Sequence, residues 1–323
     1  MIFFKERIVF NAALSTMWGI GQFQNLSDFF EAAAALGFKS FELNHAVTSA
    51  MLSGVNLNGY RIASVHEPCP ADISVSALKE RGWLISSLDE ENRRQGVLAI
   101  RRSIDLAHEL GAQVVIVHPG HVDIEPALEL ALRDLYNQGK AAAPEHTEAV
   151  ERLMQARAGR AEANVQAARR SLIELAEYAA RSGIRLGLEN RYHYFEIPLP
   201  DELDVLLDVG YDDTVGYWHD VGHAQTLQHL GLIRHEEWLR RFGSRIIGVH
   251  LHDIVGIQDH YAAGLGQMDW DMVARYLPTD ALRTCEFQKT NSPQQVVAGV
   301  RRLMEKGCIQ EEPWPAFPSR PGC

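Results

Sequence analysis

A chain of 323 residues, 46% of them apolar and 23% charged, has the makeup of a globular protein and length enough for one large domain. Its 42 acidic side chains outnumber 31 basic ones, for a formal net charge of −11, which argues against a broad electrostatic grip on nucleic acid. Residues 1–7 are too short an apolar run for a signal peptide, no stretch suits a membrane helix, and Cys69, Cys285, Cys308 and Cys323 lack paired spacing, so the expectation is a cytoplasmic protein with reduced thiols.

From the N-terminus onward, short β-rich runs alternate with amphipathic helical patterns. Strands are expected at residues 8–14, 39–44, 61–66, 113–118, 184–189, 214–220, 245–250 and 282–286. Helices are expected between them, at 26–36, 95–110, 164–182, 201–209 and 294–306. Gly37, Gly111 and Gly183 stand where helix-ending glycines belong. Eight β-then-α units imply parallel strands with helical crossovers. An open doubly wound sheet has fewer strands and a glycine-rich phosphate loop, and neither GxGxxG nor GxxxxGK[ST] occurs here. The expected fold is α/β, a single (β/α)8 barrel over residues 1–310. Residues 121–156, after the fourth strand, read as an inserted helical or lid segment, with an extra helix at 124–137 and then a Gly-Lys-Ala-Ala-Ala-Pro break. From 145 to 182 the helical pattern continues, and at 1.5 Å per residue one helix there would run roughly 50 Å, its first half projecting over the mouth as a partial lid. Residues 311–323 are proline-rich and expected to be irregular.

Six of the eight units end their strand on an ionisable residue: His66, His118, Glu189, Asp220, His250 and Glu286. In a barrel these ends converge on one mouth, where active sites of the fold sit. Strand parity agrees. If Glu189 faces inward, so does Gly187; Gly248 lies below His250 and Thr284 below Glu286, while Leu186, Leu188, Val249 and Leu251 face the helices. Taken singly, each of the six would be an ordinary hydrogen-bonded polar residue. In register, they point to a site in which imidazole nitrogen and carboxylate oxygen hold Zn²⁺, Mn²⁺, Fe²⁺ or Co²⁺.

The chain also resembles the xylose isomerase-like barrels, which include sugar isomerases and epimerases and the endonuclease IV type of nuclease. The likeness starts at Gly37-Phe38-Lys39-Ser40-Phe41-Glu42-Leu43 and is carried by Asp89-Glu90-Glu91-Asn92-Arg93, Ala107-His108-Glu109-Leu110-Gly111-Ala112 and Val117-His118-Pro119-Gly120. Leu188-Glu189-Asn190, His219-Asp220-Val221-Gly222-His223, His250-Leu251-His252-Asp253 and Cys285-Glu286 follow in the family's order. The resemblance implies that Glu189, Asp220, His250 and Glu286 ligate metal, with the two glutamates also acting as acid and base. It makes His223 a candidate catalytic residue beside the two glutamates, as a substrate contact or a further ligand, and His66, His118 and His260 additional ligands as in the nuclease. Gln258 stands where the nuclease motif has aspartate, with Asp259 displaced by one. A third metal site on His223 and His260 therefore lacks its carboxylate, and one to two metals per chain are expected.

On this reading the chain is a divalent-metal-dependent isomerase or epimerase of a sugar, sugar phosphate or polyol-like substrate, moving a proton through an enediolate. The alternative is a multinuclear-metal hydrolase of the endonuclease IV type, or lyase or iron-oxidase chemistry on the same barrel. Candidate substrate contacts are His66, His223, His260, Glu42, Arg191 and Trp18, with Asn44 and Trp270 beside them. His252 and Asp253 are candidates for orienting His250. His121, His193 and His219 read as surface or packing residues. Trp83-Leu84-Ile85 would permit a homo-oligomer.

Overall fold

The computed structural model describes residues 9–310. Eight parallel strands close into a barrel in sequence order: β1 Ala13–Ser15, β2 Ser40–Leu43, β3 Arg61–His66, β4 Val114–Val117, β5 Arg185–Glu189, β6 Val215–Asp220, β7 Ile246–Leu251 and β8 Leu282–Cys285. β1 closes the ring against β8 at Ala13–Thr284 and Leu14–Cys285. Each expected strand is present. The first is shorter than its apolar run because ladder pairing begins only at Ala13; its expected start at Ile8, the segment 1–7, the tail 311–323 and Cys323 lie outside the described residues. Among the described residues no helix is long and apolar enough to cross a membrane.

Local chemistry sets the helix ends. Asn25 accepts the backbone N–H of Asp28 at 2.9 Å to open the helix Leu26–Leu36, and Gly37 closes it at φ 115°. Asp89 opens Glu90–Leu110 by accepting from Asn92, and Gly111 closes it at φ 68°. Capping side chains satisfy first-turn N–H groups, and glycine adopts the left-handed closing conformation without a Cβ penalty.

The expected continuous helix over 145–182 is overturned. Two helices, Pro144–Arg157 and Ala161–Arg181, are separated by Ala158–Arg160, where Ala158 is extended at ψ 131° and Gly159 takes φ 76°. The apolar periodicity persists across the break because each helix buries its own stripe. Pro144–Arg157 packs against Pro126–Asn137, so the insertion is a helix pair rather than half of a long rod.

Alternation along the strands separates two cores. Outward residues meet the helices, while Val114, Ile116, Trp218, Ile247 and Leu282 fill the barrel interior. Trp218 is fully buried and forms the floor beneath the mouth, its ring 5.1 Å from that of His250. Gly187 and Gly248, inward as parity requires, leave room for the indole: a Cβ on Gly248 would lie 2.0 Å from Trp218 Cζ3, and one on Gly187 3.1 Å from Cε3. Gly248→Ala is therefore expected to cost about 1–3 kcal/mol or more by overpacking, and Gly187→Ala clearly less. Urea unfolding midpoints of the two variants check the ranking.

Candidate functional site

At the C-terminal ends of β5, β6 and β7 and just past β8, four buried groups converge. His250 Nδ1 lies 2.8 Å from Glu189 Oε1, 3.2 Å from Glu286 Oε2 and 3.3 Å from Asp220 Oδ2. Each of these four residues offers an atom, and the atoms lie within 4.8 Å of one another. On the other edge of the ring, His250 Nε2 is 3.1 Å from Glu42 Oε1, while Ser64 Oγ donates to Glu42 Oε2 at 2.8 Å. Glu42 therefore stands behind His250 as its orienting partner, fully buried and bonded through both oxygens. Both of its oxygens are thereby engaged with His250 and Ser64.

Desolvating so many carboxylates is costly unless positive charge stands among them. Burial opposes protonation of His250, but Glu286 and Glu42 outweigh it and hold its pKa well above the usual value. Burial in turn raises the carboxyl of Glu42. Glu286 Oε1 is buried with no hydrogen-bond partner. An excess of buried carboxylates, an orphaned oxygen and one imidazole nitrogen aimed among them make a donor set that fits a divalent cation.

Three further clusters adjoin the first, and one of them, Asp220, His252, His260 and Glu286, shares two of its carboxylates. His66 Nε2 and His118 Nε2 are 3.2 Å apart, and His118 Nε2 is 2.8 Å from Glu189 Oε2. Arg191 donates to that same Glu189 oxygen and to His118 Nε2. Burial, with His118 beside it, keeps His66 neutral far below its usual range; burial and then Arg191 push His118 down to about 4. The last cluster joins His223, Asp259 and His260. Asp259 Oδ1 is 2.8 Å from His260 Nδ1, and its Oδ2 is 3.8 Å from His223 Nε2. The carboxylate expected to be missing is thus present. His260 sits at φ 64°, which breaks strand alternation and lets two sequence neighbours face His223 together.

Other side chains brace these groups. His252 Nε2 is 3.0 Å from Asp220 Oδ1, so it braces Asp220 and not His250, the residue it was expected to orient. Asp253 instead accepts N–H bonds from Ile254, Gly264 and Met268 and ties down its own loop. Asn190 was legible only as part of a motif: its side chain bonds both the backbone N–H (2.8 Å) and carbonyl (2.9 Å) of Asp220, and its own carbonyl lies 3.0 Å from His223 Nδ1. Trp18 packs against Phe23 and Phe29, and its indole N–H donates to Asn291 O at 2.8 Å. That is a packing role and corrects the expected sugar platform. His219 is wholly buried, 2.6 Å from Tyr217 Oη and 2.9 Å from His235 Nε2, so it packs but has no surface character.

The family described as "Xylose isomerase-like TIM barrel" matches residues 30–306. An uncharacterized protein of Methanocaldococcus jannaschii, MJ1311, is 28% identical over 189 residues, 57% of this chain and 53% of that protein. The chain thus spans about half the length of that curated relative. A D-tagatose 3-epimerase-like protein superposes with a TM-score of 0.64 at 22% identity, covering 92% of this chain and 96% of its own. The IolI protein with a bound zinc atom superposes with a TM-score of 0.61 at 13% identity, covering 92% and 98%. At these identities the likeness is one of fold.

Beside His118, Glu67 is buried and accepts the His118 backbone N–H at 3.0 Å, and burial pushes its carboxyl from 4.5 up to about 7. A pKa raised by folding means that stability is full below about pH 4.5 and is lost as pH rises through about 7. Glu67→Gln keeps an acceptor but removes the charge. It is expected to add roughly 3 kcal/mol at pH 8 and almost nothing at pH 4, as read from denaturant midpoints at the two pH values.

Proposed function

The chain belongs to the xylose isomerase-like TIM barrel family, and from that premise we propose that it is a divalent-metal-dependent isomerase or epimerase of a sugar or sugar-like polyol. The observation that carries this reading is the cluster of Glu189, Asp220, His250 and Glu286, in which two glutamates from opposite parts of the barrel flank one imidazole. The epimerase-like fold neighbour and the zinc-bearing one support it. Asp220 and His250 are each held by partners outside the four. Asn190 and His252 brace Asp220, Glu42 braces His250, and all four residues would hold the ion. When bound, Mn²⁺, Zn²⁺, Co²⁺ or Fe²⁺ would polarise a carbonyl and neighbouring hydroxyl and acidify the C–H between them.

The chain's own residues then move the proton. We assign Glu286, with its unpartnered Oε1, to take the proton from carbon and release it to solvent, and Glu189, protonated from solvent, to give one to the resulting enediolate and return to its carboxylate form. His66, His223 and His260 stand around these carboxylates at the mouth and would bond substrate hydroxyls. The helix pair within residues 121–156 would wall one side of the substrate site. A second reading, metal-dependent hydrolysis, is favoured by the additional clusters, because paired metals activate water for attack on a phosphodiester.

Incubated with ketoses in D₂O, the wild type is expected to exchange the proton beside the carbonyl, and a chelator should stop it. Glu189→Gln and Glu286→Gln should each slow exchange by about 10²–10⁴-fold. Undiminished exchange in both variants sinks the proposal. Chelator-sensitive cleavage of an abasic-site duplex that is lost in His118→Ala would put hydrolysis in its place.

A further inference from the structure

We infer that Arg191 occupies the cation position of the His66–His118–Glu189 cluster, so that this cluster takes a metal only when the guanidinium is removed. The inference rests on the metal-dependent reading of the neighbouring four-residue cluster. Arg191 Nη1 donates to Glu189 Oε2 and to His118 Nε2, two of the three atoms with which this cluster would grip an ion. A zinc ion would sit about 2.0–2.2 Å from such atoms, within the space the guanidinium nitrogen fills. One position cannot hold both cations.

Arg191 is not a loose surface arm. Its side chain is only 12% exposed, and its Nε lies 3.6 Å from Glu196, which Lys79 holds from the other side at 3.2 Å. The backbone is fixed on both flanks. Before it, the Asn190 side chain is bonded twice to Asp220. After it, the inserted helix Pro126–Asn137 grips the chain: Arg133 donates to Tyr192 O at 2.8 Å and lies 4.1 Å over the Tyr192 ring, and Glu129 accepts the Tyr194 N–H at 3.0 Å. Tyr192 Oη donates to Ile257 O at 2.5 Å and ties the same loop to the hairpin after β7, in which Asp253–Val255 pairs with Gln258–Tyr261. The insertion after β4 therefore sets Arg191 against Glu189. With Oε2 committed to the guanidinium, Glu189 presents Oε1 to the four-residue cluster and does not bridge two metals.

Metal per chain, read by elemental analysis on the full-length protein grown with Zn²⁺ or Mn²⁺ and desalted, tests this. Arg191→Met is expected to hold one more metal than the wild type, and Arg191→Met/His118→Ala to return to the wild-type count. His118→Ala alone should leave that count unchanged, a comparison that stands even if Arg191→Met fails to fold. Loss of a metal in His118→Ala, or no gain in a folded Arg191→Met, overturns the inference. A wild type without metal whose Arg191→Met variant gains one would uphold the inference and sink the functional reading. One metal in both, with proton exchange intact, would do the reverse.

Discussion

His250 stands within 3.3 Å of Glu189, Asp220 and Glu286 on one edge of its ring and 3.1 Å from Glu42 on the other. All five groups are withdrawn from water, and like charges in such a medium repel far more strongly than they would at the surface. The rest of the mouth answers this excess of negative charge. Arg191 neutralises Glu189, a protonated His250 or a cation in its place offsets the cluster, and burial drives Glu42 toward its neutral form. Imidazoles farther out, at His66 and His118, stay neutral and serve as lone-pair donors rather than as counter-charges.

A charged cluster of this kind needs a rigid floor and rigid walls. Trp218 supplies the floor, and it fits only because β5 and β7 carry glycine at the positions facing it. The walls come from loops bonded to one another across the mouth. The short pairing of Gly120–His121 with Glu196–Ile197, and the hairpin of Asp253–Val255 with Gln258–Tyr261, shape the strand ends into a fixed rim. The inserted helices belong to the same framework, since Glu129, Arg133 and Arg157 all reach the segment that follows Glu189. Buried charged hydrogen bonds of this type specify one arrangement even where their net contribution to stability is small.

Much of this was legible from local pattern. Alternation with period two marked the strands and told which residues face inward, so Gly187, Gly248 and the strand-end ligands could be placed on one surface before any fold was known. Caps and left-handed glycines marked helix ends. Where reading failed, the cause was a signal that pattern does not carry. The break at Ala158–Arg160 left no mark in the periodicity, because two helices that each bury a stripe leave nearly the same pattern as one. Glu42 and Trp18 were expected to meet substrate, yet their polar atoms are taken up by Ser64, His250 and Asn291, partners 22, 208 and 273 residues away.

By itself the sequence determined the fold class, the eight strands in their order and the set of inward-facing donors, because these depend on side-chain periodicity and on neighbours along the chain. Tertiary structure alone decided how those donors are shared out. It brought Asp259 back to His223 and His260 through one residue at positive φ, set Glu42 on the Nε2 edge of His250, and laid Arg191 across His118 and Glu189. The physical reason is range: a ligand set is fixed by angles and distances between strand ends far apart in the chain. A one-residue displacement or a single guanidinium changes that geometry while leaving every local pattern as it was.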